Sequence, residues 1–453
     1  MPSSTVNQEN SRNLLTQVAE LLETGSGVEI RNFVHSLYPA ETANILEALD
    51  IEKRERIWQV MPPNVMGEIL VRVNTEVGQG LLKITDRKDL IKAAENLESD
   101  DMVDLLHVLP EPLLSEVMES MGVHERNRLE STLTYDDHSA GGLMSLDVLT
   151  IRPDVTLEVV MRYLHKREGM PASTDSLIVV DRSDHLLGVL PLADILTNDP
   201  STKVADAMDD KTRGISYLMP AHEVAMLFEQ RQMVSSPVVS DNGRLMGRIT
   251  IDDVVGIIRE EADHSIMSMA GLDEEQDMFA PVMTSARRRA VWLGVNLITA
   301  FLASWVIGLF EATLEEIVAL AVLMPIVASM GGIAGSQTLT LVVRGLALRQ
   351  VSHANATQLL VKELSVGIVN GCLWAVVVAI IASIWFQDMD LGLLLGAAMV
   401  INLVCAALAG ASIPMILDKM GIDPALAGGV LLTTVTDCIG FMAFLGLATM
   451  FLL

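Results

Sequence analysis

The most pointed chemistry in the chain belongs to Asp437. It is the carboxylate in the middle of D-P-A-L-A-G-G-V-L-L-T-T-V-T-D-C-I-G-F-M-A-F-L-G-L-A-T-M-F-L-L, the run from Asp423 to Leu453. About 20 apolar residues suffice to cross a bilayer, so this run is long enough to span one. An ionised group at its centre costs about 2.5–3.5 kcal/mol on insertion scales, and such groups mark ion paths or paired charges. Thr433, Thr434 and Gly440 lie three or four positions away on the same helical face. They offer hydroxyl or backbone oxygens and a close approach. No Lys or Arg lies inside any of the apolar spans, so the natural partner of Asp437 is a cation.

A second constellation is M-P-I-V-A-S-M-G-G-I-A-G-S-Q. Pro325 removes a backbone donor, and Gly331, Gly332 and Gly335 allow close helix contact or exposed carbonyls. Irregular backbone in a bilayer is tolerated only where it packs on protein or lines a wet cavity. The run is therefore either a kinked helix with a small-residue packing seam or part of a pore lining. Gln337 and the intramembrane Asn296, Asn370 and Asn402 read as helix–helix glue. The third constellation is acidic: Asp252, Asp253, Glu260, Glu261 and Asp263, then Asp273, Glu274, Glu275 and Asp277. A charge run of this kind is a solvated helix face or, placed directly before the membrane, a cation-binding surface.

The elements that position these groups follow from the uneven charge. The chain has 453 residues, is 50% apolar and carries a net charge of −27. From residue 290 onward there are four bases and nine acids, so the first 289 residues hold 27 bases and 49 acids. An acidic half is joined to a membrane half. Its field repels nucleic acid and anionic lipid and concentrates cations, which excludes a nucleic-acid-binding protein. Spans are expected near Ala290–Phe310, Ile317–Val343, Leu364–Phe386, Leu391–Leu417 and Pro424–Leu452. Arg287, Arg288 and Arg289 precede the first, and further bases fall between the second and third. The opposite links carry Glu311, Glu315, Glu316, Asp388 and Asp390 without a base. The positive-inside rule then puts the acidic half in the cytoplasm and the C-terminus outside, in a multi-pass protein of the inner (plasma) membrane. The opening residues are polar, so no signal peptide is expected. Cys372, Cys405 and Cys438 fall in apolar spans without metal-type spacing and read as core thiols.

Residues 1–135 are helical by pattern, with A-E-T-A-N-I-L-E-A-L and S-D-D-M-V-D-L-L-H-V-L-P as examples and Pro39, Pro62, Pro63, Pro110 and Pro112 as punctuation. Short helices stopped at prolines suggest a small superhelix or an ordinary helical interaction domain. In residues 136–250, S-L-I-V-V-D-R-S-D-H-L-L-G-V-L-P-L-A-D-I-L recurs as S-P-V-V-S-D-N-G-R-L-M-G-R-I-T-I-D-D-V-V-G. Each copy reads strand, polar turn, Gly-containing strand, then a helix opened by Asp194 or by Asp252 and Asp253. The pair resembles tandem cystathionine-β-synthase-type (CBS) regulatory modules, which implies an adenine nucleotide such as ATP as a ligand class. No residue here fixes a ligand. An acidic connector helix (251–286) and a five-helix transmembrane pore domain (287–453) complete a multidomain chain.

Taken in order, these parts resemble the MgtE family of magnesium channels over essentially the whole length. The resemblance rests on P-A-E-T-A-N-I-L-E, S-D-D-M-V-D-L-L, S-A-G-G-L-M, the paired modules, I-D-D-V-V-G-I-I-R-E-E-A and the Pro/Gly-rich second span. Its most specific piece is D-P-A-L-A-G-G-V-L-L-T-T-V-T-D. It implies a homodimer with the pore on the two-fold axis, where Asp437 from both chains holds a hydrated Mg²⁺ assisted by oxygens near Gly429 and Thr433. It also implies that Mg²⁺ is a regulator. Asp101, Asp104, Glu223, Asp252, Asp253, Glu260 and Glu261 match positions whose acids bridge ions in a closed state. The sequence departs from the family pattern at His222, Gln232 and Gly256, where acids are usual, at Ile333 and Ser336, where polar residues are common, and at Gly429, where some members carry Asn.

Coordination chemistry agrees with that ion. Mg²⁺ takes octahedral oxygen at about 2.0–2.1 Å, keeps several waters and uses one or two carboxylates. Softer metals call for Cys, Met or His, and the single His from residue 290 on is His353, between spans. A divalent transporter with Co²⁺ or Mn²⁺ as main substrate stays open. A membrane-anchored nucleotide-sensing enzyme would need a P-loop, a phosphate fingerprint or a nucleophile–base pair; none occurs, and a non-enzyme is expected. A structural membrane sensor would not require an intramembrane acid.

Overall fold

The computed structural model describes residues 3–95, 97–167, 169–272, 275–352 and 354–453. It divides into two compact units, one reaching to Asp263 and taking in Glu275–Ala280, the other holding the stretch after Asp263 together with Pro281–Leu453.

The first unit opens with α1 (Ser3–Thr24), α2 (Gly27–His35), α3 (Pro39–Glu47), α4 (Ile51–Trp58), α5 (Pro63–Leu70), α6 (Thr75–Leu82), α7 (Arg87–Ala94), α8 (Ser99–Val108), α9 (Glu111–Ser120) and α10 (Val123–Thr132). Most have eight to ten residues, too short to persist alone, so tertiary burial holds them. Their starts are fixed locally. Asp50 accepts a hydrogen bond from the Lys53 amide, Asn74 accepts one from Val77, Ser26 and Glu29 form a capping box, and Pro39 and Pro63 open their helices. Ile57, Trp58, Val77, Leu81, Leu90, Leu105 and Leu106 share one core. Buried Arg54 donates through both terminal nitrogens to Asp277 (2.7 and 3.0 Å) and also to the carbonyls of Leu46 and Leu49. Each charge is thereby paired and hydrogen-bonded, which burial demands.

The internal repeat folds as two copies of one sheet. After α11 (Ala140–Leu143), which packs in the core of the second copy, β1 (Thr150–Ile151), α12 (Leu157–His165), β2 (Ser176–Val180), β3 (Leu186–Pro191) and α13 (Leu192–Thr197) make the first. α14 (Val204–Ala207), β4 (Ile215–Ser216), α15 (Ala221–Arg231), β5 (Ser235–Val239), β6 (Leu245–Thr250) and α16 (Ile251–Met269) follow. In each copy a two-residue strand pairs parallel with the middle strand, which pairs antiparallel with the third. The register shifts between Val179 and Val180 and again between Val238 and Val239. The repeated glycine has one cause in both: a Cβ on Gly188 would overlap the Asp209 carbonyl, and one on Gly247 would come within 2.6 Å of the Ser145 carbonyl. Another segment crosses the third strand there.

The second unit contains α17 (Val282–Gly308), α18 (Glu311–Glu316), α19 (Val318–Ala347), α20 (Ala356–Phe386), α21 (Met389–Lys419) and α22 (Pro424–Phe451). Among the described residues five helices, all but α18 here, are long and apolar enough to cross a membrane. α21 is the most enclosed and packs on α19, α20 and α22. Small residues let the backbones close up: Gly367 meets Ala407, Gly371 meets Val400 and Gly396 meets the Ala375 carbonyl. Two helices start well before their apolar cores. α17 starts at Val282 and includes Arg287, Arg288 and Arg289, and α20 starts two turns early and includes Lys362 and Glu363. Hydrogen bonding continues past the point where lipid would end. Likewise 251–286 is not one helix: α16 stops at Met269, Gly271 adopts a φ of +68°, and Pro281 caps α17.

Candidate metal-binding sites

Two stripes run along α22. Gly428, Leu432, Thr436 and Gly440, each four residues apart, are buried against neighbouring helices. One position on, Gly429, Thr433 and Asp437 form a stripe that is half-buried or exposed. Thr433 Oγ1 donates to the Gly429 carbonyl (2.7 Å) and Thr434 Oγ1 to the Val430 carbonyl (2.7 Å). A Cβ at Gly429 would meet nothing within 4 Å, whereas one at Gly428 would press on Leu339. The Asp437 carboxylate is half-buried and has no hydrogen-bond or ion-pair partner among the described residues. The helix starts from a defined point, since Asp423 Oδ1 accepts from the Ala425 amide (2.8 Å) and Pro424 follows it. Asp423 Oδ2 is buried and lies 3.4 Å from His264 Nε2 near the end of α16.

α19 stays helical through Pro325, Gly331, Gly332 and Gly335. Gly331 packs against Asn402, and Gly335 against Leu432, with its carbonyl under Gly410. Of the two readings of this run, these contacts are those of the packing seam, and Gly332 alone of the three glycines faces open space. Asn296, Asn370 and Gln337 are exposed, and Asn402 is fully buried.

The first unit gathers a second acidic group. Asp100, Asp101 and Asp104 on α8 and Asp252, Asp253 and Glu260 on α16 act on one another electrostatically. Burial first, then the charges of Asp253 and Asp101, pushes Asp100 up to about 7. Desolvation by surrounding protein, then Asp101, Asp253, Asp137 and Glu260, does the same for Asp104, also to about 7. Desolvation raises Asp253 to about 6 against two hydrogen bonds from Thr250. Asp101 is raised less freely because Arg72 lies 3.8 Å away. Asp100 Oδ1 is buried without a hydrogen-bond partner. Burial and like charge together raise the cost of ionising these carboxylates, a cost that a bound cation would lower. Among the described residues no three carboxylate, imidazole or thiol groups already converge as a closed metal cage. Glu223 on α15 is half-buried, and Glu261, His222, Gln232 and Gly256 are exposed; Gln232 caps α15 with a φ of 54°. Asp273, Glu274 and His353 lie outside the described residues.

This architecture matches known proteins along its length. The divalent cation transporter (MgtE) family model matches residues 324–447, the MgtE intracellular N domain residues 37–138, and the CBS domain residues 140–201 and 204–260. The magnesium transporter MgtE of Enterococcus faecalis is 30% identical over 328 residues, 72% of each chain. The chain belongs to the MgtE family of magnesium transporters. The MgtE of Thermus thermophilus is 27% identical over 445 residues, covering 97% of this chain and 98% of its own. A crystal structure of the cytosolic domain of the Mg²⁺ channel MgtE in complex with ATP superposes with a TM-score of 0.50 at 27% identity, over 54% of this chain and 99% of that one.

Within this MgtE-family chain three polar groups stand out that sequence reading passed over or did not separate. Glu363, hidden in the sequence beside Lys362 at the edge of a span, is 5% exposed; it accepts from Thr338 Oγ1 of α19 (3.2 Å) and from Lys362 Nζ (2.9 Å). Asp100 was legible in principle, since its i, i+4 spacing from Asp104 puts both on one face of α8. Asn402 was one of four equivalent amides until packing distinguished it.

Proposed function

We propose that the chain works as a homodimeric channel through which Mg²⁺ enters the cell passively, with Asp437 as its ion-binding carboxylate. The observation that carries this reading is the stripe of Gly429, Thr433 and Asp437, turned away from its own helix neighbours, with the carboxylate unpaired. Facing lipid, that charge would be costly. Facing the same stripe of a second copy, it supplies two carboxylates for one dication that keeps its water. The Gly429 carbonyl and Thr433 hydroxyl then stand where waters of a hydrated ion can hydrogen-bond. An inward-negative potential contributes about 2.3 kcal/mol per charge per 100 mV, doubled for Mg²⁺, so the flux needs no hydrolysis.

The acids of α8 and α16 are the cytoplasmic sensor in this reading. Their repulsion disfavours one arrangement of the soluble half until Mg²⁺ binds among them and selects it, closing the channel. The CBS pair is expected to take ATP, the ligand of the structurally similar cytosolic domain. Where the modules meet, the Ser235 hydroxyl donates to the Asp175 carboxylate, offering a polar edge.

Mg²⁺ uptake into liposomes containing the full chain tests the central claim. Uptake is expected with the wild type and is expected to vanish with Asp437→Ala. Flux at the wild-type level in that variant would overturn it.

A further inference from the structure

We propose that Asn402 is a positioning residue that sets α22, and with it Asp437, against the proline-bearing helix α19. The inference deepens the reading of Asp437 as the ion-binding group and rests on it. Asn402 lies midway along α21, the most enclosed of the apolar helices, and is 0% exposed. Its Nδ2 donates to the Val327 carbonyl of α19 at 2.7 Å. Val327 sits two residues past Pro325, and in a helix its carbonyl already receives the amide of Gly331. The Asn402 amide thus rests on the turn closed by Gly331, where a Cβ would overlap its nitrogen. On its other side is α22. A Cβ on Gly440 would stand 2.8 Å from Asn402 Nδ2 and 3.0 Å from its Cγ. Asp437 is three residues before Gly440, less than one turn away. One side chain therefore touches both helices at the level of the carboxylate, and two glycines make its room.

Hydrogen-bond satisfaction does not account for an amide here, since Asn402 Oδ1 is buried with no partner. A leucine of similar volume would fill the same space without stranding an oxygen. What leucine cannot do is fix direction. In a low-dielectric interior the Nδ2 bond is strong and angular, so it defines how far α19 and α22 slide past α21.

The test measures Mg²⁺ flux against Mg²⁺ concentration in liposomes for the full chain and four variants. Asn402→Leu is expected to stay folded, with a thermal midpoint in detergent no lower than wild type, while its half-saturating Mg²⁺ rises by about five-fold or more. A filler residue would change the midpoint and leave half-saturation alone. Gly440→Ala is expected to cut maximal flux by about ten-fold, because misplacing a site by a fraction of an ångström is costly. Adding Asn402→Ala to Gly440→Ala removes the clashing atoms and is expected to recover most of the maximal flux, with half-saturating Mg²⁺ staying raised as in Asn402→Leu because the orienting amide is gone. An unfolded Asn402→Leu, an unchanged half-saturation in it, or no recovery in the double variant would each overturn the inference. Asp437→Asn, measured alongside, separates the two claims. Flux surviving it defeats the ion-site reading, while the Gly440/Asn402 pair still decides what positions α22.

Discussion

Asp437 makes its case through what its own chain withholds from it: no base within the apolar cores of the spans and, among the described residues, no hydrogen bond or ion pair to its carboxylate. Asp437→Asn should therefore fold normally and transport nothing, because an amide cannot balance a dication where the dielectric is low. Asp437→Glu should also transport poorly, by about ten-fold or more, since one methylene displaces a hydrated ion from its waters' partners. Growth of a transport-deficient host at low magnesium, beside thermal midpoints of the purified variants, checks both. Normal growth on Asp437→Asn would defeat the assignment. Asp437 was readable from sequence because one acid in an apolar run contrasts with everything around it. Glu363 was not: adjacent to Lys362, it reads as a loop charge, and only helix extension into α20 and the Thr338 contact show it enclosed.

At the scale of elements, α8 and α16 bring together carboxylates that sequence distance separates by about 150 residues. Their existence as helices was legible from spacing, and so were the paired β-units from their repetition. Helix ends were not, because backbone hydrogen bonding continues beyond the apolar stretch that marks a span. The role of Gly188 and Gly247 was hidden too, since the backbone that crosses them comes from elsewhere in the chain. These acids carry a pH prediction. Asp100 and Asp104 titrate near 7 and Asp253 near 6 when folded, above the ordinary value of 3.8. Between that ordinary value and about 7 the folded state binds more protons than the unfolded one, so stability from these groups is present in acid and lost as pH rises. In chelator, protection of the first unit from protease should weaken from about pH 5 to about pH 8, and millimolar Mg²⁺ should restore it at the upper end. Asp104→Asn should flatten the dependence. A pH profile unaffected by either Mg²⁺ or Asp104→Asn would show that these carboxylates do not act as a group.

For the molecule as a whole the proposed gating makes a prediction about how sharply internal magnesium would close it. Three positions where the family resemblance leads one to expect acids hold His222, Gln232 and Gly256, each exposed. Gln232 has a structural duty of its own, capping α15 in the left-handed region, which limits what can be restored there. Gly256 has none: it lies mid-helix, faces open space and follows Asp252 and Asp253 by one turn. Each missing carboxylate lowers ion affinity and also lowers the repulsion that favours the open arrangement. On that proposal magnesium should still close the chain's ion path, with weaker affinity or cooperativity than in a member bearing the full acid set. Gly256→Asp should lower the Mg²⁺ concentration for half-maximal protease protection by about three-fold or more, the worth of one added charge among several. Removing a mid-helix glycine also stabilises α16 by up to about 1 kcal/mol, so Gly256→Ala is the necessary companion. If Gly256→Ala shifts the midpoint as far as Gly256→Asp, the effect is helix stiffness and not ion binding. If the wild type gains no protection across the titration, magnesium does not gate this chain through its acidic half.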